Sequence, residues 1–321
     1  MMKLVIQIPC LNEEQTLPET VHDLPKSIPG IDQIEVLVVD DGSKDRTAAV
    51  AKNLGVRHVL KLGRRRGLAR AFVSGLEEAL MLGADIIVNT DGDNQYAGAD
   101  VPKLVEPILQ GRADMVIGCR PIVNHPEFGF LKKILQRLGS WMLRHLSQTN
   151  VRDAASGFRA FSRETAQRLF VHSNFSYCME TLIQAGNLRL RVESVDIRVN
   201  PRTRRSRLYR SLPEYLWKSC NTMIAMFIHY RPSRFFGLLA AVNLAGAGAL
   251  GLRFVYLVYL AHPSATHRTY IPSLILLAIL TVFGAGLLSL AVIAELIRSH
   301  RRLTEETLFQ LRKQADKNPK T

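Results

Sequence analysis

Two carboxylates one residue apart, Asp91 and Asp93, follow an apolar run in the stretch Ile86–Tyr96, IIVNTDGDNQY. If that stretch stays extended, residues i and i+2 point to one side, and Gly92 leaves the backbone room between them. With the amide oxygen of Gln95 they form a set of hard oxygen donors suited to Mg²⁺ or Mn²⁺, the ions that accompany diphosphates. A polar turn after a buried strand has the same composition, so the elements around the motif must decide between the two.

The chain has 321 residues and a formal net charge of +14. That excess suits a polyanionic partner: nucleic acid, an anionic membrane surface or phosphate-bearing substrates. Cys10, Cys119, Cys178 and Cys220 are far apart and show no CxxC spacing. They read as reduced packing residues, not as a disulfide frame or a zinc site. The start, MMKLVIQIPCLNEE, turns polar too soon to read as a secretory signal.

Two stretches point to a membrane. Phe235 to Leu252 carries no charge and, after Arg253, stays apolar to Ala261; Tyr270 to Ala294 is again uncharged. Each is long enough as a helix to cross a hydrocarbon core of about 30 Å. Arg231 and Arg234 precede the first, and Arg298, Arg301 and Arg302 follow the second, against a lone Arg268 between them. The positive-inside rule then puts the N-terminal domain and the C-terminal tail in the cytoplasm, with Arg253 snorkelling towards the outer face.

The elements that must carry Asp91 and Asp93 come in an alternating series. Strands are expected at Leu4–Ile8, Glu35–Asp40, Arg57–Leu60, Asp85–Thr90 and Met115–Cys119. Helices are expected from about Glu13, from Ser43 or Asp45 as cap to Leu54, over Leu68–Leu82 and over Asp100–Gln110. This alternation indicates an α/β domain with an open, mostly parallel sheet and a ligand crevice along the carboxyl edge. Asp41-Gly42-Ser43, Arg64 to Gly67, Asp91 to Asp93 and Arg120 should then open onto one cleft. No GxGxxG follows the first strand and no Walker lysine loop occurs, so nucleotide binding has to rest on acidic loops and a metal.

These residues carry a resemblance. PCLNEE (9–14), VVDDGSKDRT (38–47), GLARAFVSGL (67–76) and TDGDNQ (90–95) come in the order and spacing of family 2 glycosyltransferases of the GT-A fold. DAASGFRAFSR (153–163), FSYCMETLIQA (175–185) and YRPSRFF (230–236) resemble the polyprenyl-phosphate glycosyltransferases within that family. The resemblance implies a GT-A domain over 1–211, an amphipathic juxtamembrane helix over 212–232, two transmembrane helices over 233–297 and a cytoplasmic tail over 298–321.

It also implies an activity: inverting transfer of a sugar from a UDP- or GDP-sugar to a polyprenyl phosphate at the cytoplasmic membrane face, with Mg²⁺ or Mn²⁺. Pro9, Leu11 and Glu13 would line base and ribose, Leu11 standing where many relatives have an aromatic residue. Asp40 would accept hydrogen bonds from the base. Asp91, Gly92 and Asp93 would meet the donor, and Asp91, Asp93 and Gln95 the metal. Asp93, Asp153 and Arg120 are the implied catalytic residues. A phosphate monoester is already anionic at neutral pH, so the acceptor needs counter-charges more than a base. Arg120, Lys133, Arg137, Ser156, Arg202 and Arg207 are its implied ligands, within a basic series that includes Arg198, Arg204, Arg205 and Arg210. The loop PRTRRSRL (201–208) has Arg207 where relatives often have lysine, and lacks their glycine. Glu180 is a further acceptor-side candidate. The implied partners are the nucleotide-sugar, the polyprenyl phosphate and the bilayer, with homo-oligomers through the spans and no nucleic acid. A processive polysaccharide synthase is the nearest alternative, but neither Trp141 nor Trp217 lies in a QxxRW context. A non-catalytic anionic-lipid-binding membrane protein would leave the acidic motif unexplained.

Overall fold

The computed structural model describes residues 1–121, 151–171, 177–201, 230–261 and 270–317, with single positions at 147, 149, 217, 221, 224, 225, 227 and 228. Its first unit is an α/β sandwich built on β1 (Lys3–Cys10), β2 (Gln33–Asp40), β3 (His58–Lys61), β4 (Ile86–Asn89), β5 (Met115–Cys119), β6 (Arg159–Ser162) and β7 (Val192–Asp196). The helices are α1 (Leu17–His22), α2 (Thr47–Asn53), α3 (Leu68–Met81), α4 (Val101–Leu109), α5 (Arg163–Arg168) and α6 (Tyr177–Asn187).

The seven strands run β3-β2-β1-β4-β6-β5-β7. All neighbours are parallel except β6, which is antiparallel to both β4 and β5. A central strand is covered on both faces, and β1 reads accordingly as a nearly unbroken apolar run. Leu4, Ile6 and Ile8 enter one core layer with Leu17, Ala51 and Leu104, while Val5 enters the other with Phe72, Leu76 and Leu182. In α3 the buried Ala69, Phe72, Leu76 and Ala79 fall on one stripe, the pattern of a helix laid on a sheet.

Several boundaries differ from expectation. β1 runs through Pro9 to Cys10, pairing Pro9 with Val39. Gln7 accepts from Thr90 on the β4 side, and Pro9 faces the same way, beyond the point where the β1–β4 ladder stops at Gln7–Asn89. Its missing N–H therefore leaves no gap in the sheet. The first helix starts at Leu17, after a turn closed by Thr16 N–H and Leu17 N–H on the Glu13 carbonyl. α2 starts at Thr47, whose N–H is taken by Asp45 Oδ1 at 3.0 Å, whereas Ser43 Oγ accepts from Asn12 N–H.

The second unit spans Cys220–Thr307. It contains α7 (Pro232–Val255), a π-helical turn (Tyr256–Ala261) and most of α8 (Ile271–Lys317). Pro232–Tyr259 and Ile271–Gln314 are long and apolar enough to cross a membrane, their most apolar 18-residue stretches having mean hydropathies of 1.8 and 2.6. Leu238, Val242, Leu252, Val282, Phe283 and Val292 are exposed. Gly284 lets α7 and α8 meet, since a Cβ there would stand 2.8 Å from the Leu244 side chain.

The tail, expected to be helical over Thr304–Ala315, is the unbroken continuation of α8. From Leu308 it belongs to the first unit, the one that carries the sheet. Phe309 is buried there under the Arg168 guanidinium, 4.0 Å from the ring centroid. Arg312 bonds the Gln167 carbonyl at 3.0 Å and Glu77 Oε1 at 3.0 Å. The juxtamembrane helix expected over 212–232 lies mostly outside the described residues.

Candidate active site

The topology alone gathers the chemistry. β1, β2, β4 and β5 end at the same edge of the sheet, and the antiparallel β6 begins there. Leu11 to Glu13, Asp40 and Asp41, Asp91 to Gln95, Arg120 and the segment leading into Arg159 therefore share that edge.

At the carboxyl ends of β1 and β2, Pro9 is buried and Leu11 partly exposed. Glu13 donates its N–H to Thr47 Oγ1 at 2.9 Å, and its Oε2 accepts from the Thr16 hydroxyl at 2.8 Å. Asp40 Oδ1 accepts from Ser43 N–H at 2.9 Å. Asp41 has a purely structural engagement: its two oxygens accept from Arg66 and Gly67 N–H at 2.7 and 2.9 Å. It ties the basic turn before α3 to this edge. Gly42 is required beneath that turn, because a Cβ would fall 2.6 Å from the Arg64–Arg65 backbone. Burial, and then the charges of Glu13, Asp40, Asp91 and Asp45, push the Cys10 thiol well up. Cys10 thus marks the point around which these four carboxylates converge. Cys10, Cys119 and Cys178 are buried and free, as expected.

Asp91 to Asn94 form a turn, not the extended segment assumed above. Asn94 takes a left-handed conformation at φ 54°, and Asp93 Oδ1 accepts from Gln95 N–H at 3.2 Å. The Gly92 carbonyl accepts from the hydroxyls of Thr16 and Thr20 at 2.8 and 3.3 Å. A Cβ on Gly92 would come within 2.9 Å of Cys10 Sγ. Asp91, Asp93 and Gln95 are each partly exposed. Among the described residues, no group of three or more His, Cys, Asp or Glu is placed to hold an ion. Two carboxylates and an amide supply part of a hard-oxygen shell, which suits Mg²⁺ or Mn²⁺ completed by diphosphate oxygens. The donor set fits such an ion.

On the opposite side, Arg120 Nε and Nη2 donate to Asp153 Oδ2 and Oδ1 at 2.7 and 2.9 Å. Those bonds raise the guanidinium pKa further, with smaller contributions from Tyr96 and Asp91 nearby. The permanently charged Arg120 is thus locked in orientation within the field of Asp91. Ser156, expected to meet the acceptor phosphate, is fully buried, and its Oγ accepts from Phe158 N–H at 3.3 Å. Arg159 is also fully buried and bonds the carbonyls of Ser156, Cys178 and Ala154 at 2.7, 2.6 and 2.8 Å. Glu180 is buried within α6.

Lys133, Arg137, Arg202 and Arg207 lie outside the described residues. Arg198, counted above in the basic series, is committed to the fully buried Asp100, with Nη2 to Oδ1 at 2.9 Å and N–H to Oδ2 at 2.7 Å. Sequence reasoning missed Asn89, Tyr96, Gly157 and Tyr177. Asn89 donates to the Gly157 carbonyl at 2.8 Å and to the Tyr177 hydroxyl at 3.0 Å, while Gly157 N–H donates to the Tyr96 hydroxyl at 3.0 Å. The one available signal was a polar Asn89 ending an otherwise apolar strand.

The sequence and the fold have counterparts. The model of the family described as glycosyl transferase family 2 matches residues 5–170. A UDP-N-acetylglucosamine–dolichyl-phosphate N-acetylglucosaminyltransferase of Methanococcus voltae is 31% identical over 70% of this chain and 92% of its own length. A polyprenol monophosphomannose synthase of Mycolicibacterium smegmatis is 28% identical over 56% of this chain and 69% of its own length. The fold is shared with glucosyl-3-phosphoglycerate synthase from Mycobacterium tuberculosis, solved in complex with Mn²⁺, UDP and glucosyl-3-phosphoglycerate. That likeness has a TM-score of 0.56 at 23% identity and covers 71% of this chain and 79% of the other. With its GT-A sheet, its acidic turn after β4 and a family match across more than half its length, the chain belongs to glycosyl transferase family 2.

Proposed function

We propose that the protein transfers a sugar from a UDP- or GDP-sugar to a polyprenyl phosphate at the cytoplasmic face of a membrane. The observation that carries this is the sharing of one sheet edge by the Asp91–Asp93 turn and the Arg120–Asp153 pair. One suits the diphosphate of a donor and the other the phosphate of an acceptor. The relatives named as dolichyl-phosphate and polyprenol-phosphate transferases support the same substrate class.

Pro9, Leu11, Glu13 and Asp40 hold the nucleoside. A Mg²⁺ or Mn²⁺ ion on Asp91, Asp93 and Gln95 would supply Lewis-acid neutralisation of the diphosphate. Arg120 holds the acceptor phosphate, assisted by Lys133, Arg137, Arg202 and Arg207. An acceptor phosphate oxygen forms a bond to the anomeric carbon from the side opposite the diphosphate. The bond from that carbon to the diphosphate oxygen breaks, its electron pair leaves with the nucleoside diphosphate, and configuration inverts. The attacking oxygen is already anionic, so no proton has to be removed. Asp153 serves the step by aiming Arg120.

Membrane placement follows from α7 and α8 as an inserted hairpin with both ends cytoplasmic. Burial of Phe309 and the Arg312 bonds support this, since they place the end of α8 on the catalytic unit. Arg253, exposed in the last turn of α7 and followed by exposed Tyr256 and Tyr259, suits the outer interface. The glycine-mediated contact of the spans leaves their remaining faces available for pairing with another copy. The test is extraction of label: with Mg²⁺ or Mn²⁺, purified protein moves radiolabel from a nucleotide-sugar into the organic phase only when polyprenyl phosphate is added. A broad donor panel that leaves the organic phase unlabelled overturns the proposal.

A further inference from the structure

Gly157 lies between the two halves of the site. Its N–H is held by the Tyr96 hydroxyl at 3.0 Å and its carbonyl by Asn89 Nδ2 at 2.8 Å. A Cβ at this position would stand 2.7 Å from the Tyr177 hydroxyl and 3.1 and 3.2 Å from the two carboxylate oxygens of Asp91. The bare face of Gly157 is therefore the surface against which the Asp91 carboxylate rests.

Four residues earlier in the same segment, Asp153 takes the Arg120 fork. Between them, the carbonyls of Ala154 and Ser156 are drawn onto the buried guanidinium of Arg159 at 2.8 and 2.7 Å. Arg159 also anchors to the Cys178 carbonyl and the Thr181 hydroxyl of α6 at 2.6 and 2.8 Å. Its charge is thus spent on neutral oxygens of one loop and one helix, an arrangement that fixes backbone rather than balancing a carboxylate.

We infer that the segment Asp153–Gly157, braced by Arg159, is a spacer that sets Asp91 relative to Arg120, with Gly157 as the positioning residue on the metal side. This deepens the transferase reading and rests on Asp91 being a metal carboxylate. Two anion-binding groups must be held at a fixed separation if a phosphate oxygen is to meet the anomeric carbon in line. Here that separation is set by five consecutive residues, of which Gly157 is tied to Asn89 of β4 and to Tyr96, and Ala154 and Ser156 through Arg159 to α6. Donor-side and acceptor-side geometry consequently change together.

The experiment is Mn²⁺ titration of the full chain by electron paramagnetic resonance, with UDP and with GDP, alongside thermal melting. Outer partners of a metal ligand are worth about 10- to 100-fold in metal affinity. G157A should weaken Mn²⁺ binding by at least about 10-fold on that scale. Y177F removes the hydroxyl that the new methyl group meets first, so G157A/Y177F should recover a clear part of the loss. Should G157A fail to fold, Y96F, which frees the Gly157 N–H, should weaken Mn²⁺ binding in the same direction with a melting temperature near that of the unaltered protein. Unchanged Mn²⁺ affinity in G157A, or a loss that follows the melting temperature and is not relieved by Y177F, overturns the inference. If G157A does not fold, unchanged affinity in Y96F does the same. Absence of Mn²⁺ binding by the unaltered protein with either nucleotide overturns the metal reading, and the spacer with it.

Discussion

Arg120 and Asp153 meet fork to carboxylate, at 2.7 and 2.9 Å, with the Arg120 backbone N–H at 3.4 Å from the same carboxylate. The pair closes over 33 residues of chain and joins the end of β5 to the segment before β6. Its consequence is directional. With Nε and one Nη2 hydrogen taken by Asp153, Nη1 and the second Nη2 hydrogen are the donors that would meet the proposed acceptor phosphate.

R120K should therefore be a poor replacement, because a lysine cannot hold Asp153 on two atoms and present a third donor. A loss of about 100-fold in kcat/KM for the acceptor is expected, the scale of a misplacement near 1 Å. D153N keeps the charge on Arg120 but loosens its aim, so kcat should fall more than acceptor KM rises. Steady-state kinetics with varied acceptor distinguish these, and an R120K enzyme of unaltered kcat/KM would contradict the role.

Asp91 and Asp93 are assigned to the diphosphate, so their loss should appear in rate more than in donor affinity. D91N and D93N are each expected to lower kcat by on the order of 10²-fold, as when one preorganised electrostatic group is removed. Donor binding measured by calorimetry should change far less. Full activity of either variant without added metal would contradict the assignment.

Asp100 gives the pH dependence. Desolvation acts to raise its pKa, but hydrogen bonds from Arg198 and Lys103 outweigh it and bring the carboxyl down to about 2 from an ordinary 3.8. A folded value below the unfolded one means that the unfolded chain binds the proton first. The contribution is complete above pH about 4 and is lost as the pH falls towards about 2. The melting-temperature gap between unaltered protein and D100N should accordingly close across that interval. A gap that stays constant into strong acid would contradict the linkage.

Phe309 should matter to stability although it lies in the polar-looking tail. Emptying a buried phenylalanine site costs about 3–5 kcal/mol. F309A should thus lower the melting temperature of the catalytic unit clearly, while L308A, at an exposed position, should not. Equal, small shifts in both would show that the tail is not docked in solution.

The site was legible where polar residues interrupt apolar runs. Asp40, Asp91 and Arg120 each stand at the carboxyl end of a strand, and strand alternation puts such ends on one edge. Local chemistry located the start of α2 only in part: Asp45 does meet the Thr47 N–H, but the cap position itself is Arg46. What stayed hidden depends on contacts remote in sequence. Tyr177 reaches Asn89 across 88 residues, and Arg312 reaches Glu77 across 235. No periodicity or spacing encodes such pairs. Asp91–Asn94 was misread as extended because the stretch that precedes it is a strand. The turn is produced by the left-handed Asn94 and by Thr16 and Thr20, which hold Gly92 from α1. Arg198 reads in sequence as one more member of the basic series because nothing near it reveals that Asp100 is buried beside it.

The most direct measurement is the structure of the lipid product. Purified protein is incubated with nucleotide-sugar, divalent cation and polyprenyl phosphate, and the organic phase is analysed by mass spectrometry and by NMR at the anomeric carbon. The expected result is one sugar joined through the phosphate, with anomeric configuration opposite to that of the donor. Free sugar alone, a polysaccharide, or a lipid-linked sugar of retained configuration would contradict inverting transfer to a polyprenyl phosphate.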